Sequence, residues 1–221
     1  MISILSNTRF QQSAAFAAIF ILFAVPSTGQ TVAGGISSYT AGDLGQAIKI
    51  FEALEDIDNK NAEVLTWLGK LYREKGELSR AERILKRAVS ADKTYMPAYL
   101  ERAELELNRP RKNDDYRAKA AEKFLKEAHK IEPENADISY ALFEIYYQLE
   151  DSSKARTAID DITNFTPGDP RGFLAMVELI KFNEYNILKR CAQMEPYLLK
   201  AYETGNASPA QLFSIGWDFF I

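Results

Sequence analysis

The side chains that most often carry out chemistry in proteins are scarce in this chain. Its 221 residues include one histidine, His129, and one cysteine, Cys191. A zinc site needs several ligands in a fixed geometry, and Cys–His catalysis needs a base beside the thiol. These two residues lie far apart in the sequence, so we expect no metal site, no cofactor and no catalytic residue. We expect His129 on the surface and Cys191 packed as a small apolar residue.

Acidic residues are plentiful, but their spacing does not suggest a paired acid and base. Asp114-Asp115 and Asp160-Asp161 are adjacent in sequence, and adjacent side chains diverge on a helix. The glycine-rich motifs that bind nucleotide phosphates do not occur. We therefore expect a protein that is not an enzyme.

Basic residues cluster between positions 73 and 87, which raises the alternative of a nucleic-acid surface. The cluster is interleaved with Glu74, Glu77 and Glu82, and the formal net charge of the chain is -4. Nucleic-acid binding depends on a clear excess of basic side chains. The pattern instead indicates a solvated helix face, and we expect no nucleic-acid partner.

Residues 14–25 form an apolar run near the amino terminus. A membrane-spanning helix needs about 18 or more apolar residues, so this run fits the core of a signal peptide better. Arg9 precedes it, and small residues follow it up to Gly29. We expect a signal peptide at 1–29 and export to a periplasm or the outside. The alternative is an uncleaved segment that anchors the chain to a membrane.

A repeat of about 34 residues runs along the rest of the chain. Ala47, Ala81, Ala121 and Ala155 are separated by 34, 40 and 34 residues. Further packing residues follow each alanine after four and after seven positions, which places each set of three on one helix face. These residues are Phe51 and Leu54, Leu85 and Ala88, Leu125 and Ala128, and Ile159 and Ile162.

Residues 62–95 resemble the tetratricopeptide repeat. Their pattern, Leu65, Leu68, Gly69, Tyr72, Ala81, Leu85 and Lys93, follows the family's W-x2-L-G-x2-Y…A-x3-F…P. Leucines replace the tryptophan and the phenylalanine, and a lysine replaces the proline. The resemblance covers residues 41–170 well and 171–221 loosely. It implies an all-α fold, a right-handed α-solenoid of antiparallel helix pairs.

The repeat divides the chain into successive units. Residues 30–40 are expected to form a loose leader or a short, frayed helix, because Gly34-Gly35 and several hydroxyl residues disfavour a helix. The six extra residues of the longest unit are assigned to a lengthened turn at 108–115. The units are 41–61 (a second helix), 62–95, 96–135, 136–169, an irregular pair at 170–206, and 207–221, the first helix of an incomplete repeat.

In tetratricopeptide proteins the first helices line a concave groove that holds segments of partner proteins, and the resemblance implies such a groove here. Counting from the packing residues predicts two rows of lining residues, with Tyr147 and Lys181 one turn further along. The first row is Thr66, Leu100, Tyr140 and Leu174, and the second is Lys70, Glu104, Glu144 and Glu178. Some family members hold a partner's terminal carboxylate with basic groove residues, but here only Lys70 is basic at the corresponding places.

An apolar row beside three glutamates suits a partner segment with apolar and basic side chains. The alternative is that the glutamates only keep the surface soluble. The expected function is an exported, non-catalytic module that binds another protein or peptide segment. An alternative is the docking or regulatory arm of a larger enzyme that continues beyond Ile221, because the last predicted helix has no partner helix. A third possibility is a membrane-anchored scaffold.

Overall fold

The computed structural model describes residues 31–110 and 112–208, and over these ranges the chain forms ten α-helices and no strands. Each odd-numbered helix packs against the helix that follows it, and each even-numbered helix then packs against the next pair. The predicted all-α solenoid of helix pairs is confirmed. The helices are α1 (Val32–Thr40), α2 (Leu44–Ile57), α3 (Ala62–Glu74), α4 (Leu78–Ala91), α5 (Met96–Leu107), α6 (Asp114–Ile131), α7 (Ala136–Gln148), α8 (Ser152–Phe165), α9 (Pro170–Asn183) and α10 (Ile187–Glu203).

Side-chain caps fix where several of the helices begin. The Asn61 side chain accepts a hydrogen bond from the backbone N–H of Val64 at 3.1 Å, and Asn113 does the same for Tyr116 at 2.8 Å. Such a bond satisfies an amide that has no partner within the helix. The two caps therefore fix the starts of α3 and α6.

The repeating alanines lie at the helix contacts, as the spacing predicts. Ala47, Ala81, Ala121 and Ala155 are all fully buried. Gly69 also marks a close approach, because a Cβ atom there would lie 2.4 Å from Cδ2 of Leu85. The backbone of α3 thus packs directly on the side chains of α4.

The helices form two layers with different neighbours. The odd-numbered helices α3, α5, α7 and α9 contact one another in succession, whereas the even-numbered helices lie mainly against odd-numbered ones. The odd-numbered helices are therefore the inner layer on the concave side, and the even-numbered helices are the outer layer. The predicted groove residues all belong to the inner layer.

Residues 32–40 form a regular helix, which differs from the loose leader or frayed helix expected for 30–40. A Cβ atom at Gly35 would lie 2.5 Å from Cε2 of Phe51, so this glycine allows α1 to pack closely on α2. Tyr39 of α1 also contacts Trp67 of α3, with ring centroids 5.7 Å apart. Tertiary packing outweighs the poor helix propensity of the segment.

The extra residues of the third pair lie mostly in a helix, which corrects the predicted turn at 108–115. The turn ends at Asn113, and Asp114 and Asp115 form the first turn of α6. Helix α6 has 18 residues, whereas α4 and α8 have 14 each. The Asn113 cap and the two acidic residues stabilise this early start, because they interact with the positive end of the helix dipole.

The predicted irregular pair at 170–206 consists of α9 and α10. Helix α10 contains Pro196 in its interior, and only Met194 and Ala201 of this helix are buried. The predicted signal peptide and residues 209–221 of the predicted last helix lie outside the described residues. Within the part of the chain that the structure describes, no helix is both long and apolar enough to cross a membrane.

Candidate partner-binding groove

The inner layer brings most of the two predicted rows together on one face. Glu104 of α5, Glu144 of α7 and Glu178 of α9 are exposed there. Leu100, Tyr140 and Leu174, the apolar row, are half-buried. The solenoid aligns these residues because corresponding positions of successive pairs lie side by side.

The two predicted groove residues of α3, in the second pair, are less available than those of the later helices. Thr66 is only 5% exposed, and its hydroxyl donates a hydrogen bond to the backbone oxygen of Ala62 at 2.7 Å. The Nζ atom of Lys70 lies 5.0 Å from the ring centroids of both Tyr39 and Trp67. Thr66 therefore offers almost no surface, and Lys70 is held by two aromatic rings.

A chain of aromatic rings continues the apolar row from α7 to α9. The ring of Phe143 lies 5.9 Å from that of Tyr140 and 5.7 Å from that of Tyr147. Tyr147 in turn contacts Phe182 at 5.4 Å. Tyr140 and Tyr147 are half-buried, so both present part of their rings beside Glu144.

Three basic side chains near the groove belong to ion pairs. Arg73 contacts Glu101 at 3.0 Å, and Lys181 contacts Glu178 at 3.1 Å. Arg171 contacts Asp137 at 2.7 Å. It also contacts Asp169 at 2.6 Å, and hydrogen bonds from its guanidinium hold the pKa of that carboxyl below its usual value. The Arg73–Glu101 and Arg171–Asp137 pairs join neighbouring inner helices, whereas Lys181 and Glu178 pair within α9.

Glu104 and Glu144 stand apart, because neither belongs to an ion pair among the described residues. The Glu144 residue is exposed overall, yet nearby protein atoms desolvate its carboxyl and raise its pKa, and the charge of Glu104 raises it further. Arg171 acts on it more weakly and in the opposite direction. The centre of the groove thus carries two carboxylates that belong to no ion pair of the described residues.

Several groove residues were missed at the sequence level. Arg171 lies 34 residues after Asp137, so repeat counting places the two side by side, but it does not show that they bind each other. Tyr39 lies in the segment that sequence propensity assigns to a leader. Phe182 lies on α9, one helical turn beyond Glu178. Only the packing of neighbouring helices brings these side chains to the site.

The lone histidine is less exposed than expected. His129 is half-buried, and its Nε2 atom lies 3.6 Å from Oδ2 of Asp161 on the neighbouring outer helix. Its Nδ1 atom is buried and has no hydrogen-bond partner within the described residues. Over the same residues, no cluster of three or more acidic, histidine or cysteine side chains could hold a metal ion.

Comparison with known proteins matches the repeat architecture of the chain. Residues 38–103 and 113–178 match the tetratricopeptide repeat family model. The chain belongs to the tetratricopeptide repeat family. The match runs from the end of α1 into α9 and excludes residues 104–112, which comprise the end of α5 and the turn before α6.

Solved structures show the same fold in other tetratricopeptide repeat proteins. TTC0263, a thermophilic TPR protein in Thermus thermophilus, has a TM-score of 0.65 and 19% identity, over 85% of this chain and 96% of that one. A crystal structure of MamA has a TM-score of 0.57 and 24% identity, over 77% and 94%. MamA from Desulfovibrio magneticus RS-1, residues 41 to the end, has a TM-score of 0.57 and 14% identity, over 79% and 93%. No curated protein sequence matches the chain significantly.

Membership of the family sets the general function. Tetratricopeptide repeats are protein–protein interaction modules, and proteins of this fold are generally non-catalytic scaffolds. The repeats of this chain therefore indicate a protein that binds other proteins or peptides.

Proposed function

We propose that this chain is an exported, non-catalytic interaction module whose inner groove binds a partner segment with both apolar and basic side chains. The observation that carries the proposal is the pair Glu104 and Glu144, two groove carboxylates that form no ion pair with any basic side chain among the described residues. A lysine or arginine of a partner would relieve their mutual repulsion. Charge complementarity of this kind also speeds encounter and selects partners.

The aromatic and aliphatic side chains beside the carboxylates supply the apolar half of the site. Tyr140 and Tyr147 flank Glu144 on α7 and are half-buried. The guanidinium of Arg171 already lies 5.5 Å from the ring centroid of Tyr140, so a basic side chain that approaches Glu144 meets the ring of Tyr147, where cation–π contact adds to the attraction. Leu100 and Leu174 extend the apolar surface along α5 and α9.

The groove is tested with synthetic peptides on the full-length chain. A peptide of alternating leucine and lysine should bind, and one of alternating leucine and glutamate should not. The double variant Glu104→Lys/Glu144→Lys should weaken binding of the lysine peptide by about tenfold or more, equivalent to about 1.4 kcal/mol. Isothermal titration calorimetry measures both affinities.

A matched control separates local from general charge effects in this test. Glu134→Lys/Asp160→Lys makes the same change of charge at exposed residues outside the groove, and it should leave the affinity nearly unchanged. Unaltered affinity in the groove variant, or equal weakening in the control, would contradict the proposed site.

The export part of the proposal rests on residues 1–29, which lie outside the described residues. An apolar run of 12 residues preceded by Arg9 and followed by Ser27-Thr28-Gly29 is typical of a cleaved signal peptide. When the complete chain is expressed in a bacterial host, we expect it in the periplasmic or secreted fraction with Gln30 as the first residue. Sequencing of the amino terminus checks this, and an intact Met1 in that fraction would refute cleavage.

A further inference from the structure

The outer face of α6 carries a line of four lysines. Lys119, Lys123, Lys126 and Lys130 are spaced by four, three and four residues, so they lie on one side of the helix over about 16 Å, and all four are exposed. Lys126 contacts Glu122 at 2.9 Å. The other three belong to no ion pair within the described ranges. We call these four residues the lysine ridge.

The lysine ridge distinguishes α6 from the other outer helices. The corresponding residues of α8 include no basic side chain, and those of α4 include two. The α8 residues are Ser153, Thr157, Asp160 and Asn164, and the α4 residues are Ser79, Arg83, Lys86 and Ser90. Since packing requires no lysine at these exposed places, the fold alone does not explain the ridge.

Helix α6 also presents more surface than its neighbours. It is the longest described helix, with 18 residues, and its additional turn lies at the amino-terminal end. The Lys112 Nζ atom lies 4.5 Å from the ring centroid of Tyr116 in this region, and Tyr116 is 52% exposed. The ridge is therefore flanked by a further basic and aromatic contact surface.

The same molecule carries a complementary surface on its inner layer. Glu104 and Glu144 lie on α5 and α7, the two inner helices that pack against α6. The middle of the solenoid is thus acidic on the inside and basic on the outside. The outer layer of one copy is therefore complementary in charge to the inner layer of another.

We propose that the lysine ridge is a second interaction surface and that its partner is the acidic groove of a second copy of this chain. The inference rests on the proposed function of the groove and names one partner for it. Each contact joins two different surfaces, so it leaves a free groove at one end and a free ridge at the other. Such head-to-tail contacts generate closed rings when the rotation between copies closes and open assemblies when it does not.

The charge pattern favours a protein partner for the ridge over a polyanion. Glu82, Glu122 and Glu127 are interspersed among the basic residues of α4 and α6, and the whole chain has a formal net charge of -4. Polyanions bind through a large excess of positive charge. Two isolated carboxylates in a groove require only a few well-placed lysines.

The test uses charge reversal and mixing of full-length chains, followed by sedimentation velocity. The ridge variant is Lys119→Glu/Lys123→Glu/Lys130→Glu, and the groove variant is Glu104→Lys/Glu144→Lys. The wild type should associate with rising concentration at about 0.02 M salt and dissociate at about 0.5 M salt, where charges are screened over a few ångströms. Each variant alone should associate at least about tenfold more weakly.

Mixing the two variants in equal amounts should restore association. The unaltered groove of the ridge variant then meets the unaltered ridge of the groove variant, and the two reversed surfaces also complement each other. A control variant, Lys49→Glu/Arg156→Glu/Lys189→Glu, reverses three exposed basic residues elsewhere and should associate like the wild type. Circular dichroism confirms that each variant is folded.

The inference is overturned if the wild type stays monomeric at low salt, if the ridge variant associates as strongly as the wild type, or if mixing restores nothing. Peptide titrations on the same proteins separate this from the proposed function. If the groove variant no longer binds the lysine peptide but ridge reversal does not change self-association, the proposed function of the groove stands and a second copy is rejected as its partner. Unchanged peptide binding in the groove variant would instead reject the groove itself.

Discussion

The carboxyl group of Glu144 lies on the inner face of α7, where surrounding protein and the charge of Glu104 both raise its pKa. An ionised group in such a place lowers the stability of the folded state. The folded protein holds the proton of Glu144 to a higher pH than the unfolded chain does. The stability cost is therefore present above the folded-state pKa and disappears as the pH falls below the unfolded value of about 4.3.

Replacing Glu144 by glutamine should remove this cost. We expect Glu144→Gln to raise the free energy of unfolding modestly at pH 7 to 8, and the gain should vanish near pH 3, where the wild-type carboxyl is protonated. Urea denaturation at a series of pH values measures the difference. A loss of stability at pH 7 would show that the charge of Glu144 instead stabilises the fold. The same variant should bind the lysine peptide more weakly, as expected where stability is exchanged for function.

The turn between the two helices of a pair uses one backbone geometry with different residues. Gly76 directly follows Lys75, the C-cap residue of α3, and has a φ of 85°. Glu150 directly follows Leu149, the C-cap residue of α7, and has a φ of 57°. In both turns the next amide bonds back to the helix, from Glu77 to Tyr72 at 2.8 Å and from Asp151 to Tyr146 at 2.9 Å. Glycine adopts this left-handed conformation freely, whereas a residue with a Cβ atom is strained there.

Exchanging the residue types should shift the stability in opposite directions. Gly76→Ala should lower the free energy of unfolding by about 1 kcal/mol, and Glu150→Gly should raise it by up to about 1 kcal/mol. A Cβ atom at Gly76 would meet no other atom within 4 Å, so the effect isolates the backbone. Urea denaturation of the two single variants provides the measurement. Equal signs for the two changes would show that strain in the turn is not the cause.

Across the whole molecule, charge is divided between the two layers. Two inner-layer arginines form ion pairs between neighbouring helices: Arg73 with Glu101, and Arg171 with Asp137. Much of the unpaired basic charge of the central repeats lies on the outer layer, on the lysine ridge. This division gives the two faces of the solenoid opposite binding preferences, although the net charge of the chain is small.

The solenoid and most of its register follow from the amino-acid sequence. The spacing of Ala47, Ala81, Ala121 and Ala155 specifies which helix faces must be buried, because small residues at helix spacing permit close approach. The same counting places Glu104, Glu144 and Tyr140 on one face. These features depend on local periodicity, which is visible in a single chain.

Which of the predicted side chains remain available depends on the packing of the folded chain. Helix α1 forms because Gly35 lets it pack on Phe51, and the ring centroid of its Tyr39 then lies 5.0 Å from the Nζ atom of Lys70. Thr66 is buried, while Glu104 and Glu144 belong to no ion pair of the described residues because Arg73, Arg171 and Lys181 have other partners. Availability depends on neighbours that are distant in sequence, and the physical reason is that burial and pairing are properties of the assembled layers.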